Sequence, residues 1–434
     1  MTLGLRLAGT ILLLAILHGV GAADARGQTS GISAFPKLSA ESDWPWWRGP
    51  SRNGIAPDAA PAPIRWSETE NVVWQTPVPG RGHSSPIVVG GRVYLATADA
   101  SQQTQSVLAF DRGTGKPVWT TVINRGGFPA SIHPKNTHAT STIACDGQRL
   151  FVTFFNHEAI QAAALGLDGK LAWEQAAGPF NPRLFQYGYG PSPTLYGETM
   201  IVAAEYDGDS FLTALDRRTG ERVWRTPRPF NITFSTPVVA HVSGQDQLLM
   251  SGANKVVSYN PETGAELWSA PGTTAATCGT MVWDGDIVVA SGGYPKAQTL
   301  AIRADGSGQV LWRNSQKCYE QSLLAHAGLV YALTDGGTIF CWRIEDGKEM
   351  WRRRLQGPVS ASPVLAGGNI YWANELGTMY VFKPNPHEFE LVAENQLGQE
   401  SFASPAVSSG QIFLLVASES AGKRQETLYC IGDR

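Results

Sequence analysis

Through most of the chain, apolar and polar positions alternate with a period of two. Between residues 87 and 111 three such runs follow one another, IVV, RVYLATA and SVLAFD, separated by Gly-Gly and by short polar turns. Side chains of a strand point to alternate faces, so this pattern predicts strand–turn–strand segments. DRGTGKPVW (111–119) comes next. Its Thr-Gly pair supplies a tight turn, because glycine tolerates positive φ at low cost. Trp119 then opens a fourth strand. Beyond the N-terminal segment no long stretch shows a helical period.

The same grammar returns along the chain. DRRTGERVW (216–224) and NPETGAELW (260–268) are close copies, and LDGKLAW, ADGSGQVLW and IEDGKEMW are weaker ones ending at Trp173, Trp312 and Trp351. A motif that recurs belongs to an architecture rather than to an active site. Each copy follows a short Ser/Thr-Pro element. The positions equivalent to Pro86 are Thr142, Pro193, Pro237, Thr280, Leu323, Pro363 and Pro405, with gaps of 40 to 56 residues. Eight units of four short strands predict an all-β fold, a single eight-bladed β-propeller. The last unit stops after three strands, while ENVVWQTPV near the N-terminus is a lone fourth strand carrying Trp74. The ring is therefore expected to close by pairing strand 71–78 with the C-terminal unit, which removes an open sheet edge. Trp74, Trp119, Trp173, Trp224, Trp268, Trp312 and Trp351 share one structural position and are read as packing residues between blades; unit seven has Val392 there.

Composition narrows the picture. Forty-seven glycines, 14 tryptophans and 16% charged residues suit a turn-rich all-β chain. The formal charge of −3 gives no sign of nucleic-acid binding, and Arg352–Arg354 read as solvated charge on an outer strand. Arg6, the apolar core from Leu7 to Leu17 and Ala23-Asp24-Ala25 form the pattern of a secretory signal peptide over 1–25. The expected product is a periplasmic or secreted monomer with no transmembrane segment after cleavage. Residues 26–42 read as a flexible leader, the aromatic stretch 43–70 as a segment packed on the propeller, and 71–434 as the propeller itself. Of the five cysteines, Cys341 and Cys430 align with Ala109, Ala164, Ala214, Ser258 and Ala301 at a small buried position. A disulfide between Cys278 and Cys318 is one option for an exported chain; Cys145 has no evident partner.

Candidate chemistry collects in two long loops that lead into first strands, 124–142 and 176–193. Being consecutive, they should lie side by side over one rim of the channel. The first holds His133, Lys135, Asn136 and His138; the second holds Arg183, Tyr187 and Tyr189. His83, Tyr319 and Glu320 precede or begin neighbouring inner strands. Polar and aromatic groups at a concave mouth define a default ligand site. The competing reading is that they only cap loops and satisfy backbone groups. His133 and His138 lack a third ligand, so no metal site is assigned. No nucleophile elbow, phosphate loop or HExxH motif is present, and no catalytic residue is assigned.

With the repeat laid out, SSPIVVGGRVYLATA followed by VLAFDRGTGKPVW resembles the PQQ-type propeller repeat, over roughly 71–434. That repeat occurs in quinoprotein alcohol dehydrogenases and in the propeller lipoprotein of the outer-membrane-protein assembly machine. WPWWRGPSRNGIA resembles the leader of exported bacterial PQQ-like propeller proteins. The dehydrogenase resemblance implies pyrroloquinoline quinone (PQQ), a calcium ion beside it, an Asp base and two adjacent cysteines. Here no two cysteines are neighbours and the large inserted loops are missing, so no cofactor is expected. The assembly-protein resemblance implies a protein or peptide partner, although no lipidation cysteine follows the apolar core. The resulting expectation is a non-catalytic exported propeller that docks a protein, peptide or small ligand at its channel mouth. A PQQ-dependent dehydrogenase is the alternative.

Overall fold

The computed structural model describes Met1, residues 31–57 and residues 61–433. The signal-peptide features at 6–25 lie outside the described residues. The described residues form eight antiparallel sheets of four strands each. We number as blades one to seven the segments 87–125, 144–179, 194–227, 238–271, 282–314, 324–354 and 364–396. Blade eight combines 406–431 with the strand Val72–Val78, which pairs with the strand Lys423–Ile431 and sets Trp74 opposite Cys430. The ring closes as the sequence predicts.

Within each blade the register explains the small third-strand position. Ala109 faces Trp119, Ala164 faces Trp173, Ala214 faces Trp224, Ser258 faces Trp268, Ala301 faces Trp312 and Cys341 faces Trp351. A bulky residue there would displace the indole. A bulge just before each tryptophan turns the strand and aims the ring at the next blade.

The turn motif is the receptor for that ring. In blade three Asp216 Oδ1 accepts the backbone N–H groups of Arg218 and Thr219 at 2.8 Å, and Gly220 follows at φ +78°. Trp173 of blade two lies over this turn. Its indole N–H donates to Arg217 O at 2.9 Å, and a Cβ added to Gly220 would come within 2.7 Å of the ring. Gly115, Gly169, Gly264 and Gly347 receive Trp74, Trp119, Trp224 and Trp312 in the same way. Trp74, Trp119, Trp312 and Trp351 also donate to a backbone carbonyl of the next blade. Burial of an indole in such a wedge is worth about 3–5 kcal/mol per site.

Blade seven departs from the pattern. Val381 faces Ala393, so the position equivalent to tryptophan is Ala393 and not Val392, which sits in the bulge. The missing indole comes from outside the repeat. Trp66 stacks on Tyr371 with centroids 6.3 Å apart, as Trp119 packs on Tyr94 and Trp351 on Tyr331. Asn395 Oδ1 accepts the Trp66 backbone N–H at 2.9 Å and holds the segment in place. Two unit anchors also move by one residue. First strands begin at Ala144 and Val282, so Ile143 and Met281, not Thr142 and Thr280, are equivalent to Pro86.

The aromatic segment crosses the face that carries the turns between first and second strands. Trp44 bridges to Val88 of blade one, Pro45 O accepts Cys145 N–H of blade two, and Ile55 bridges to Leu365 of blade seven. Arg48 donates to Pro363 O and Leu323 O, and Arg52 to Leu195 O. Both guanidiniums are buried, and burial lowers their pKa values to about 9. The stretch before it is not free of the ring: Phe35 is buried against Trp46, edge to face at 5.3 Å. Cys278 and Cys318 are both free thiols, so the optional bridge between them does not form. Among the described residues no helix is long and apolar enough to cross a membrane.

Candidate functional site

The inner strands converge on a ring of hydroxyls. Ser85 N–H donates to Thr142 Oγ1, Thr142 to Ser192 Oγ and Ser192 to Thr236 Oγ1, at 2.9–3.0 Å. The chain of bonds continues from Thr280 to Ser322, Ser362, Ser404 and back to Ser85, at 2.8–3.0 Å. Between Thr236 and Thr280 the sequence of links is interrupted. There Thr280 Oγ1 accepts the indole N–H of Trp47 at 2.8 Å. Trp47 belongs to the aromatic segment, and its ring forms the floor of a cavity of about 250 Å³. The channel is thus a cup, closed by Trp47 and open on the face of the long loops.

Seven of the ten predicted site residues line this cup: His83, His133, Lys135, Asn136, Tyr187, Tyr319 and Glu320. The two long loops meet at its rim. Asn136 Nδ2 donates to Tyr187 O at 2.6 Å, and His133 packs edge to face on Tyr187 at 5.0 Å. His83 stacks on Phe402 at 4.5 Å with 12° between the planes. Burial, then the Arg81 and Arg424 charges, push its pKa down to about 3, so the imidazole is neutral.

Three predicted residues point elsewhere. His138 turns behind its loop and packs on Phe128 at 4.2 Å. It is half-buried, and that burial lowers its pKa. His133 and His138 therefore do not share a site. Tyr189 is buried, and its hydroxyl donates to Ala203 O at 2.9 Å. Arg183 is exposed; its backbone N–H, with that of Leu184, donates to the Asp207 carboxylate at 2.8–3.1 Å. These three side chains do not line the cup.

The chain also places residues in the cup that pattern reading did not select: Trp47, Phe234, Cys278, Phe402 and the hydroxyl ring. The most consequential neighbour is Glu375, a buried residue that does not itself line the cavity but touches Lys135 and Ser360, which do. Its side chain is 8% exposed, and its carboxylate pairs with Lys135 Nζ at 2.9 Å, across the mouth from blade seven to the loop after blade one. Ser360 Oγ lies 2.7 Å from the same carboxylate and 2.5 Å from Glu320 Oε2. Burial works against the Lys135 charge, but the hydrogen bond to Glu375 and the charges of Glu320, Glu375 and Asp335 outweigh it and raise the pKa. A signal existed: NELGT at 374–378 repeats TDGGT at 334–338 with a longer acid. The Cys278 thiol is pushed up by burial first and then by the Glu320 charge, so it stays protonated.

Comparison with known proteins fits this architecture. Residues 59–121, 103–325 and 296–385 match the family described as outer membrane protein assembly factor BamB. The chain belongs to this family. A member from Burkholderia pseudomallei (strain K96243), named outer membrane protein assembly factor BamB, is 25% identical over 345 residues, 70% of this chain and 85% of the relative. The crystal structure of BamB from Moraxella catarrhalis is similar with a TM-score of 0.58 at 14% identity, covering 82% of this chain and 99% of that one. A europium-containing methanol dehydrogenase reaches a TM-score of 0.63 at 12% identity, covering 92% and 100%. At such identities the two structures share the propeller fold with this family member and nothing more specific.

Proposed function

We propose that this protein is a non-catalytic, exported propeller scaffold whose cup docks a peptide segment of a partner protein. The observation that carries the reading is the cup itself: a concave site of about 250 Å³, floored by Trp47 and rimmed by two loops tied together at Asn136 and Tyr187. Around it the rim presents exposed apolar side chains, Leu184, Tyr187, Phe230 and Tyr294, of which Tyr187 leads into the cavity. Apolar groups beside a concavity mark interaction surfaces. A rigid ring with loops on one open face suits docking more than chemistry. The relatives named as assembly factors support a protein-binding role.

The quinone alternative is tested by the donor set. A calcium-bound quinone needs several convergent oxygen ligands and cations for its carboxylates. At the cup, Glu320 and Glu375 already share Ser360, and Lys135 is paired with Glu375. Among the described residues no group of three His, Cys, Asp or Glu side chains is placed to hold a metal ion. These residues do not fit the group.

Peptide display against the full chain, counter-selected with Gly190→Trp, tests the reading. Gly190 lines the cup, and its nearest neighbour, Phe234, lies 3.4 Å from an added Cβ. Enriched sequences should bind the parent and lose affinity for the filled variant. Equal binding to both would overturn it. Addition of quinone and calcium should give neither quinone absorbance on the protein nor dye-linked alcohol oxidation.

A further inference from the structure

The docking reading leaves open what the cup recognises, and its charges narrow the answer. Ser360 carries one proton but sits within hydrogen-bond distance of two carboxylates. It can donate to only one of them. The other must be balanced by positive charge. In the free protein that charge comes from Lys135, which pairs with Glu375; its side chain is 45% exposed, whereas that of Glu375 is 8% exposed. The acid is fixed and buried, while the base is a long side chain reaching in from a loop. A buried carboxylate without a cation is strongly destabilising, so the subsite is built for one. The third acid nearby, Asp335, is paired with Lys317 at 3.2 Å.

The walls agree. Tyr187, Phe234, Tyr319 and Phe402 line the cup. Aromatic faces attract ammonium and guanidinium groups and cover their alkyl stems. Lys317 Nζ already lies 5.4 Å from the centroid of the Tyr319 ring. Two carboxylates sharing one hydroxyl are too few donors for calcium, which takes six to eight oxygens.

We propose that Glu320 and Glu375 form a cation subsite that takes a lysine or arginine side chain of the docked peptide, and that Lys135 is its resident stand-in. The proposal rests on the docking reading above. The guest's cation enters beside Ser360, and Lys135 swings out toward solvent. Phenylalanine or tyrosine next to the basic residue would lie against the apolar rim at Tyr187.

The test is calorimetric titration of the full chain with Ac-Phe-Lys-Phe-amide and with its norleucine and glutamate analogues. The lysine peptide should bind roughly tenfold more tightly than the norleucine peptide, with the advantage shrinking in high salt. The glutamate peptide should be the weakest. Lys135→Met should tighten the lysine peptide severalfold, because the internal competitor is gone. Glu320→Gln should erase the preference for lysine while leaving norleucine binding unchanged. Lys135→Met/Glu375→Gln, which removes both charges of the bridge together, should do the same. Equal affinity for lysine and norleucine peptides, or weaker lysine binding by Lys135→Met, would overturn the cation subsite and leave docking intact. Failure of all three peptides to bind would overturn both readings. n-Butylammonium binding as tightly as the lysine peptide would overturn the peptide as the source of the cation.

Discussion

The outer wall of the ring and its open mouth are built on opposite rules. In the wall one solution is repeated: a tryptophan from one blade lies on the turn of the next and, in most copies, donates to its carbonyl. At the mouth, above the hydroxyl ring, the residues that differ from blade to blade take over. Lys135, Glu375 and Ser360 each occur once and come from three separate loops. The wall teaches that repetition here serves cohesion. The mouth teaches that specificity is placed where the repeat is allowed to lapse.

The largest test of the wall is removal of residues 1–80, which takes away the closing strand and the plug together. Loss of the strand opposite Lys423–Ile431 exposes a sheet edge. The expected result is aggregation or a non-cooperative transition in calorimetry. A soluble protein with an unchanged melting transition would refute ring closure as a source of stability.

Single tryptophans come next. Trp173→Ala should cost about 3–5 kcal/mol in denaturant unfolding, since it opens a wedge and leaves Arg217 O without its indole donor. Trp224→Ala should fall at the low end of that range, because its buried indole N–H has no partner to lose. Trp66→Ala should resemble Trp224→Ala, since its buried indole N–H also has no partner, although it lies outside the repeat. Adding Ala393→Trp to that variant should restore part of the loss.

The effect that is smallest at neutral pH belongs to the mouth and is read from pH. Burial, aided by the Arg81 and Arg424 charges, holds His83 near a pKa of about 3, below the ordinary value of 6.5. Between those values the unfolded chain binds a proton that the folded chain refuses. Stability must therefore fall as pH drops from 6.5 toward 3, and is insensitive to this group above 6.5. His83→Phe should flatten that part of the stability–pH curve. An identical acid slope in the variant would remove His83 from the account.

The wall was legible because its signals are local and repeated. The glycine turn, the bulge and the tryptophan sit within nine residues of one another, and six copies confirm the position. Where the signal was not local, sequence reading failed. Ala393 needs Trp66, a partner more than three hundred residues away in the chain, and pattern alone named Val392 instead. The hydroxyl ring was blurred because units two and five have Ile143 and Met281 in place of proline, which shifted their anchors by one. At the mouth, loop length located the rim correctly, but a loop has no period to tell which way a side chain turns. His138 and Tyr189 are separated from their cup-facing neighbours by one or two residues, yet pack behind the loops. Glu375 was passed over because its turn looks like any other turn between strands.

The pairing of Trp74 with Cys430 has a bearing on how the molecule is made. These residues are among the first and last of the propeller to leave the ribosome, so the eighth sheet is the last to be completed. Until then strand Val72–Val78 has no mate, and each unfinished arc offers an unpaired edge to other chains. Long-range closure of this kind is slow and exposes the intermediate to misassembly. The plug shares the delay: Arg48 and Arg52 find their carbonyl partners on blades three, six and seven only after those blades exist. Synthesis and closure are therefore coupled, and a nascent chain of this kind needs protection for as long as its last strand is missing.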